Sequence, residues 1–459
     1  MTEIRDLLRG AADGFEPSTD LLERARRRSA RRRSNRRLVA GSLAVVVFGL
    51  ALWALLGVFS GPRQGRPAGA VCARIWESSD APAFGTEGGL SSVAAIGPDE
   101  VWAVGPGRDA VDRFGTQDWK PVVANRGARG WRAVSVPEPP GAARSELAAV
   151  AAIAPDDVWA VGDWDTGTLS AEHRAIVHVL IEHWDGSTWS VVPAPDLSPD
   201  GENRLLGVAA GSPDDVWAVG FGTRANLGIP LIEHWDGSTW SLVTSPDVTE
   251  PNTGALLEAV AVVGPDDVWA VGSQGPGTLV EHWDGSRWEV IPSPSRDDDS
   301  ELRSVTATSG DDVWAVGAHF SSGGSPSSGS STTVLPGGTL MEHWDGHEWS
   351  LVSGADVPDQ ANQLWTVTAA APNDVWAVGL HRPTGDVKHS SSSTLLEHWD
   401  GSSWRILPSP DKAVRAELLG VTALPTGEVW AVGSQAESQD ANGYLSGVTP
   451  IVDAGRCAS

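Results

Sequence analysis

From residue 90 onward, apolar segments alternate with short polar turns in a unit that repeats along the chain. Within residues 205–242, LLGVAAGSPDD leads into VWAVG, and LIEHW is followed by DGSTWSL. Short apolar runs bounded by Gly, Pro and Asp are typical of β-strands, and Asp-Gly between two such runs indicates a tight hairpin. Because the body has no 3.6-residue period, the pattern predicts short antiparallel strands rather than helices.

The tryptophan of VWAVG or a close variant marks seven copies of this unit. The seven positions are Trp102, Trp159, Trp217, Trp269, Trp314, Trp376 and Trp430. Five copies also contain EHWDG, with a second Trp five residues after the first. Repeats 45 to 62 residues apart, with four short strands each, fit the blades of a propeller. We therefore expect an all-β domain over residues 71–459, a seven-bladed β-propeller of four-stranded antiparallel blades.

The two ends of the repetitive region predict one shared blade. The last unit has two strand patterns followed by YLSGVTPIVDAGRCAS, whereas an unmatched strand pattern, AVCARIWESS, precedes the first unit. If that early strand is the outer strand of the seventh blade, the ring closes without open sheet edges. Cys72 then lies beside Cys457, and we predict a disulfide between them in an oxidising compartment.

These repeats resemble those of Kelch-like and WD-like bacterial propellers across residues 71–458. VWAVG stands where the Kelch YVFGG-like strand lies, and EHWDGSTW stands where the Kelch Tyr/Trp hairpin lies. This chain has one glycine instead of two and Trp in place of Tyr. The resemblance implies the propeller fold.

One recurring motif has the residue types of a catalytic or metal site. LIEHWDGSTWS places Glu182, His183 and Asp185 within four residues. The same triplet recurs as Glu233/His234/Asp236, Glu281/His282/Asp284, Glu342/His343/Asp345 and Glu397/His398/Asp400. An active site needs one asymmetric constellation, and neighbouring strand residues point to opposite faces. We therefore assign Asp-Gly to the hairpin, and His and Glu to buried polar contacts between blades. The Trp pairs are predicted to fill the wedge between neighbouring sheets.

The paired acids of the PDD turns recur in the same way, and we assign them to capping those turns. They are Asp156/Asp157, Asp214/Asp215, Asp266/Asp267 and Asp311/Asp312. WDGSTW is similar to the sialidase Asp-box but lacks one residue between Asp185 and Gly186. There is no G-x-S-x-G, phosphate-binding loop, EF-hand loop or zinc spacing. We accordingly predict no catalytic residue, no metal site and no cofactor.

The amino-terminal region predicts a membrane anchor. Residues 38–59 contain no charge and, as a helix, would extend about 33 Å, enough to cross a bilayer. Nine arginines between Arg24 and Arg37 precede them, which places a tail, residues 1–37, in the cytoplasm. Residues 60–70 are then a linker to an extracytoplasmic propeller. A cleaved signal peptide is the alternative, since RPAGAVCA contains a candidate cleavage site. The arrangement resembles actinobacterial membrane proteins with a basic cytoplasmic tail.

Charge is distributed unevenly between the tail and the body. The tail has eleven of the 33 basic and six of the 59 acidic residues, a net charge of +5, which leaves −31 for the remainder. An acidic body repels nucleic acid, whereas basic proteins, sugars and small cations are compatible with it. The arginines set the topology and attract anionic lipid; a cytoplasmic partner of the tail is a further possibility.

The loops differ between the two faces of the predicted ring. The PDD and DGST turns are nearly constant, whereas the loops after VWAVG vary in length and chemistry, as recognition loops on a rigid scaffold do. Candidate ligand contacts on this variable face are Trp164, Asp165, His173, Arg174, Arg224, His319, His381, Arg382 and Lys388. The alternative is that these loops are solvated spacers.

Three functions are compatible with these features. The first is a membrane-anchored, extracytoplasmic module that binds or senses a protein or glycan ligand. The second is a propeller hydrolase or lyase acting on carbohydrate, which needs clustered carboxylates at the channel or loop face. The third is a structural envelope protein without a ligand.

Overall fold

The computed structural model describes residues 74–457, apart from residues 83, 85–86, 109–118, 171–174, 225–226, 247, 249–252, 297–298, 321–332, 335–336, 387–390, 410–412, 414 and 440–444. The predicted cytoplasmic tail, membrane helix and linker lie outside these residues. Within the described part, no helix is long and apolar enough to span a membrane.

The described chain forms seven antiparallel blades, as the repeats predicted. The strand that completes the last blade is β1 (Arg74–Ser78). Blade 1 contains β2 (Glu87–Gly88), β3 (Ser92–Gly97), β4 (Glu100–Arg108), β5 (Trp119–Gly127) and β6 (Gly130–Val134). Blade 2 contains β7 (Arg144–Ala154), β8 (Asp157–Leu169), β9 (Ala175–Trp184) and β10 (Trp189–Val191). Blade 3 contains β11 (Asn203–Ser212), β12 (Asp215–Arg224), β13 (Leu227–Trp235) and β14 (Trp240–Leu242).

The remaining blades follow the same order. Blade 4 contains β15 (Ala255–Gly264), β16 (Asp267–Gln274), β17 (Gly277–Trp283) and β18 (Trp288–Val290). Blade 5 contains β19 (Asp299–Ser309), β20 (Asp312–Phe320), β22 (Gly337–Trp344) and β23 (Trp349–Leu351). Blade 6 contains β24 (Gln360–Ala371), β25 (Asp374–Pro383), β27 (Ser393–Trp399) and β28 (Trp404–Ile406). Blade 7 contains β29 (Arg415–Ala423), β30 (Val429–Gln439) and β31 (Leu445–Cys457). A two-stranded ribbon, β21 (Thr333–Val334) with β26 (Gly385–Asp386), links the loops of blades 5 and 6.

Blade 7 closes the ring with strands from both ends of the described chain. The early strand β1 pairs antiparallel with β31, with Arg74 opposite Cys457 and Ser78 opposite Asp453. The first strand of blade 7, β29, contacts the first strand of blade 1, β3. This confirms the predicted shared blade. Cys72 lies outside the described residues, so the predicted disulfide stays a prediction.

The fourth strand of each repeat is shorter than the sequence predicted. In blade 2 the apolar pattern TWSVVPAP predicts a strand up to the prolines, but β10 spans only Trp189–Val191. Pro193 and Pro195 follow it, and proline cannot donate a ladder hydrogen bond. The chain therefore leaves the outer edge of the blade early and returns towards the next first strand.

The first strands surround the axis and contain a shared irregularity. A register shift separates Leu147 from Ala149 in β7, and β11, β15, β19, β24 and β29 have the same shift. The glycine of VWAVG lies against this bulge, where a Cβ on Gly162 would come within 2.0 Å of the Glu146 carbonyl oxygen. The glycine that every VWAVG strand contains is therefore required, because two strands approach each other closely there.

Tryptophan pairs fill the wedge between neighbouring blades, as predicted. Each VWAVG tryptophan packs against a tryptophan on the outer strand of the following blade. The centroid distances are 5.5 Å for Trp102–Trp189, 5.4 Å for Trp159–Trp240, 5.4 Å for Trp217–Trp288, 5.5 Å for Trp269–Trp349, 5.5 Å for Trp314–Trp404, 5.7 Å for Trp376–Trp76 and 5.8 Å for Trp430–Trp131. Edge-to-face and tilted pairs at such distances stabilise beyond their buried area.

Candidate functional site

The repeated histidine of EHWDG makes a hydrogen bond within its own blade. Nε2 of His183 lies 2.9 Å from Oδ1 of Asp157, and its ring lies 4.3 Å from that of Trp159. The other four bonds are His234–Asp215 (2.8 Å), His282–Asp267 (2.8 Å), His343–Asp312 (2.7 Å) and His398–Asp374 (2.8 Å). Five equivalent contacts around a ring hold strands together, which supports the structural interpretation of the motif.

The prediction that this histidine makes contacts between blades is wrong, because its bond joins two strands of one blade. The partner of the histidine also differs from what the sequence suggested. The second acid of each PDD turn was assigned to capping, but in blade 3 Asp215 binds His234 and also accepts the indole N–H of Trp217 at 3.0 Å. Blade 1 uses other residues for the same contact. There, Glu100 accepts the indole N–H of Trp102 at 2.9 Å and the amide of Asn125 at 3.0 Å.

The repeated glutamates are fully buried carboxyls. Glu182, Glu233, Glu281, Glu342 and Glu397 are all 0% exposed. Burial raises the pKa of Glu182, Glu233 and Glu342 to about 8, and of Glu281 and Glu397 to about 7. Glu281 accepts from the Ser245 hydroxyl (2.8 Å) and Glu397 from the Ala355 N–H (2.9 Å), both in the segment that ends the preceding blade. The hydrogen bonds of Glu281 and Glu397 thus join neighbouring blades, whereas the carboxyl oxygens of Glu182 and Glu233 have no hydrogen-bond partner among the described residues. Five equivalent carboxyls spread around the ring do not form one acid–base site.

The aspartate of DGST stabilises its turn, as predicted. Oδ1 of Asp185 accepts from the backbone N–H groups of Ser187 (2.8 Å) and Thr188 (2.9 Å) and from the Ser187 hydroxyl (2.7 Å). These bonds lower the pKa of Asp185 to about 2. Gly186 has φ +91, a conformation that favours glycine.

The structure places the predicted ligand contacts at one end of the blades but in separate settings. Trp164 stacks on His178, with centroids 4.7 Å apart, and the Asp165 carboxylate lies 3.5 Å from the guanidinium of Arg144. His381 shares a 2.7 Å hydrogen bond with Gln360. The other three described candidates are Arg224, which is exposed at the end of β12, His319 in β20, and Arg382 in a pocket between blades 6 and 7. His173, Arg174 and Lys388 lie outside the described residues.

The central channel carries a set of side chains that the sequence analysis missed. A cavity of about 370 Å³ is lined by all seven first-strand segments. In each blade, the residue after the leucine of the L-x-x-V pattern lines it: Ser91, Ala148, Leu206, Glu258, Arg303, Trp365 and Leu419. Six of these are the unpaired bulge residues, which lie outside the packed wedge. The repeats already show that residue type varies at this position. Only the structure shows that the bulge turns these side chains into one shared cavity.

Blades 4 to 6 supply the polar side of the channel. The guanidinium of Arg303 lies 3.8 Å from the ring centroid of Trp365, a cation–π contact between two blades. It also donates to Glu301 (2.7 Å) and Gln363 (3.3 Å). Burial raises the pKa of nearby Glu258 to about 7, while the charge of Arg303 opposes the shift. The opposite side, with Ala148, Leu206 and Leu419, is apolar.

A second charged cluster lies between blades 2 and 3. Arg204 lies 3.2 Å from Asp163 and 3.4 Å from Glu146. Asp163 is 4% exposed, and burial raises its pKa to about 7; a hydrogen bond with Glu146 adds to the shift and Arg204 opposes it. The cluster is thus a carboxyl pair next to a cation at the variable face. Among the described residues, no group of three or more His, Cys, Asp or Glu could hold a metal ion.

Comparisons with known proteins concern the fold. No protein-family model matches the chain, and no significant match was found among curated proteins. A structure of YCF48 bound to a D1 peptide is similar, with 15% identity and a TM-score of 0.48, covering 84% of this chain and 97% of that one. A protein of unknown function from Dyadobacter fermentans has 11% identity and a TM-score of 0.45, covering 83% and 98% of the two chains.

Proposed function

We propose that the protein is a membrane-anchored, extracytoplasmic binding module whose central channel mouth binds a segment of a partner protein. One observation carries the proposal. The blades repeat their wedge, turn and hairpin residues, yet the channel positions have six different residue types in seven blades. Packing does not require this variety, because these side chains face the cavity.

The channel chemistry fits a protein segment with both apolar and polar groups. Ala148, Leu206 and Leu419 offer an apolar side, and Glu258 with the Arg303–Trp365 pair offers a polar one. Ligand sites usually consist of an apolar pocket that contains a small number of polar groups. A cavity of about 370 Å³ accommodates one loop tip or chain end rather than a flat protein surface.

The binding experiment compares channel variants with a matched surface variant. The full chain, in its native membranes, is cross-linked to its neighbours and partners are quantified by mass spectrometry. Arg303→Ala and Trp365→Ala should each reduce recovery of one defined partner about tenfold or more, as hot-spot truncations do. Arg287→Gln, 72% exposed on the side of the constant turns, should leave it unchanged. Equal recovery from all variants would reject the channel as the site, and binding of purified envelope glycan with the same dependence would replace protein by glycan as the ligand.

The anchor is the second part of the proposal. Residues 38–59 span the membrane once, residues 1–37 remain in the cytoplasm, and residues 60–70 connect to the Kelch-like propeller outside. The length of the uncharged segment and the arginines before it support this topology. Protease added to intact cells should degrade the propeller and spare the tail. The opposite pattern, or a mature protein without the tail, would exclude an uncleaved anchor of this orientation.

The disulfide between Cys72 and Cys457 belongs to the same proposal. Its support is the pairing of β1 with β31, which places Arg74 opposite Cys457. A crosslink around nearly the whole propeller would stabilise it by about 6 kcal/mol in the chain-entropy model. Mass spectrometry of the unreduced protein should find the two cysteine peptides linked. Alkylation of both cysteines without a reductant would show that the bond is absent.

A carbohydrate hydrolase is the second candidate function, because Glu146 and Asp163 form a carboxyl pair at the variable face. Glycoside hydrolysis requires two carboxyl groups, one of them a general acid with a raised pKa, and burial raises the pKa of Asp163 to about 7. Purified protein should then release reducing ends from a polysaccharide, and Asp163→Asn should abolish this. Arg204, bound to both carboxyls, argues for a structural ion pair instead. If neither turnover nor a channel ligand is found, the remaining function is a structural envelope protein.

A further inference from the structure

A small pocket between blades 6 and 7 lies apart from the channel. It has a volume of about 100 Å³ and none of its lining residues lines the channel cavity. Its polar lining comprises Arg382, Arg415, Glu417, Ser392, Ser434 and Gln435. Leu380 and Val448 contribute apolar walls. The pocket therefore joins two guanidinium groups and one carboxyl group in a protein whose net charge is −26.

Backbone contacts between the two blades fix this arrangement. Ser392, in the connection before β27, forms a bridge with Arg415 at the start of β29, and the Ala416 N–H donates to the Ser392 carbonyl at 3.0 Å. Glu417 accepts from the Ser434 hydroxyl at 3.1 Å. Arg382 belongs to β25, opposite Ala361. The charged groups thus stand on strands and a strand-like bridge, which hold them in place.

The charge of Arg382 is only partly neutralised by its surroundings. Nε of Arg382 is buried and has no hydrogen-bond partner among the described residues. Burial and the charge of Arg415 lower the pKa of Arg382, and burial raises the pKa of Glu417, which weakens it as a counter-ion. A buried N–H without an acceptor is costly, and an arginine fork is suited to a planar carboxylate.

We propose that this pocket binds a carboxylate group, from an acidic side chain or a chain terminus, through Arg382. With Glu417 ionised, the three charged groups have a net charge of +1, which matches a monoanion; a phosphate dianion would be repelled by Glu417. The volume holds a carboxylate and its first carbons but not a sugar ring or a nucleotide. The proposal rests on the pocket alone and does not require the channel to bind a partner.

The test measures the thermal stability of the full chain in sodium acetate and in sodium chloride at equal ionic strength. Binding to the folded state should raise the Tm by about 2 °C at ten times the Kd. Arg382→Gln should remove the difference between the two salts. Arg382→Lys keeps the charge but loses Nε and the planar fork, and should remove most of it. Arg287→Gln makes the same charge change at an exposed position and should retain the full difference.

Further probes identify the source of the carboxylate. N-acetyl-aspartate amide carries only a side-chain carboxylate, and N-acetyl-glycylglycine carries only a terminal one. The probe that matches the natural source should raise the Tm at a lower concentration than acetate does. An unchanged acetate effect in both Arg382 variants would overturn the proposal, as would an equal effect of chloride or a larger effect of inorganic phosphate.

Discussion

The indole of Trp76 lies 5.7 Å from the indole of Trp376, although one belongs to the first described strand and the other to blade 6. The same contact joins every pair of neighbouring blades, and here the residue from the outer strand of blade 7 comes from the amino-terminal side of the propeller. Ring closure therefore depends on a side-chain contact as well as on the pairing of β1 with β31.

Trp76→Ala should weaken closure. Removing a large aromatic side chain from a packed site costs about 3 kcal/mol, so the midpoint of urea unfolding should fall clearly. Trp240→Ala removes the corresponding indole from blade 3 and serves as the comparison. A Trp76→Ala protein that unfolds at the wild-type midpoint would mean that the early strand does not hold the ring closed.

The five buried glutamates should make the fold sensitive to alkaline pH. Their pKa values are raised from 4.5 to about 7 or 8, so the folded state binds more protons than the unfolded state between these values. Their contribution to stability is complete below about pH 4.5 and is lost as pH rises through 7 to 8. Tm should therefore decline from pH 6 to pH 9.

Glu233→Gln tests this explanation, because glutamine remains neutral at every pH. One pKa unit corresponds to about 1.4 kcal/mol, so the variant should gain a few degrees in Tm relative to wild type at pH 9 compared with pH 5. Glu348→Gln, at an exposed position, should show no such difference. Parallel Tm profiles for wild type and Glu233→Gln would attribute the alkaline loss to other groups.

The hairpin glycines should differ in their tolerance of alanine. Gly285 has φ +89, and a Cβ there would lie 2.6 Å from Cβ of Asp266; Gly427 has φ +92 with nothing within 4 Å. Both substitutions incur the cost of left-handed backbone, about 1–2 kcal/mol, but Gly285→Ala adds a clash. Gly285→Ala should therefore lower the urea midpoint more than Gly427→Ala does. Equal losses would mean that Asp266 moves aside freely.

The histidine contact should be replaceable by an amide, because blade 1 makes it with Asn125. In blade 1 the short Asn125 bonds the longer Glu100, so beside Asp267 the matching amide is glutamine. His282→Gln should keep a donor for Asp267 and lose less stability than His282→Leu, which leaves that carboxylate short of a partner at a cost of about 1–3 kcal/mol. Urea unfolding of both variants measures the difference. If the two variants were equally stable, the bond would contribute little.

The repeats were sufficient to predict the blade number, the tryptophan wedge and the closing strand. These features follow from the apolar and polar pattern within each repeat and from the number of strands that the repeats contain. The contact between Arg303 and Trp365 could not be predicted, because it joins two blades and requires an unpaired residue in each first strand. In sequence, L-x-x-V looks like ordinary alternation, and nothing in it indicates which variable position faces the axis. The raised pKa of Glu182 could not be predicted either, because it results from complete burial and glutamates are mostly exposed in proteins.

The glycine of VWAVG has a consequence for how such a ring acquires a new specificity. By allowing the bulge, it keeps one side chain in each of six blades outside the packed wedge, so these positions can change without altering the tryptophan contacts. In the binding function that we propose for the channel, recognition and folding would then depend on different residues, and a few substitutions at the axis would change the ligand while the scaffold stays intact.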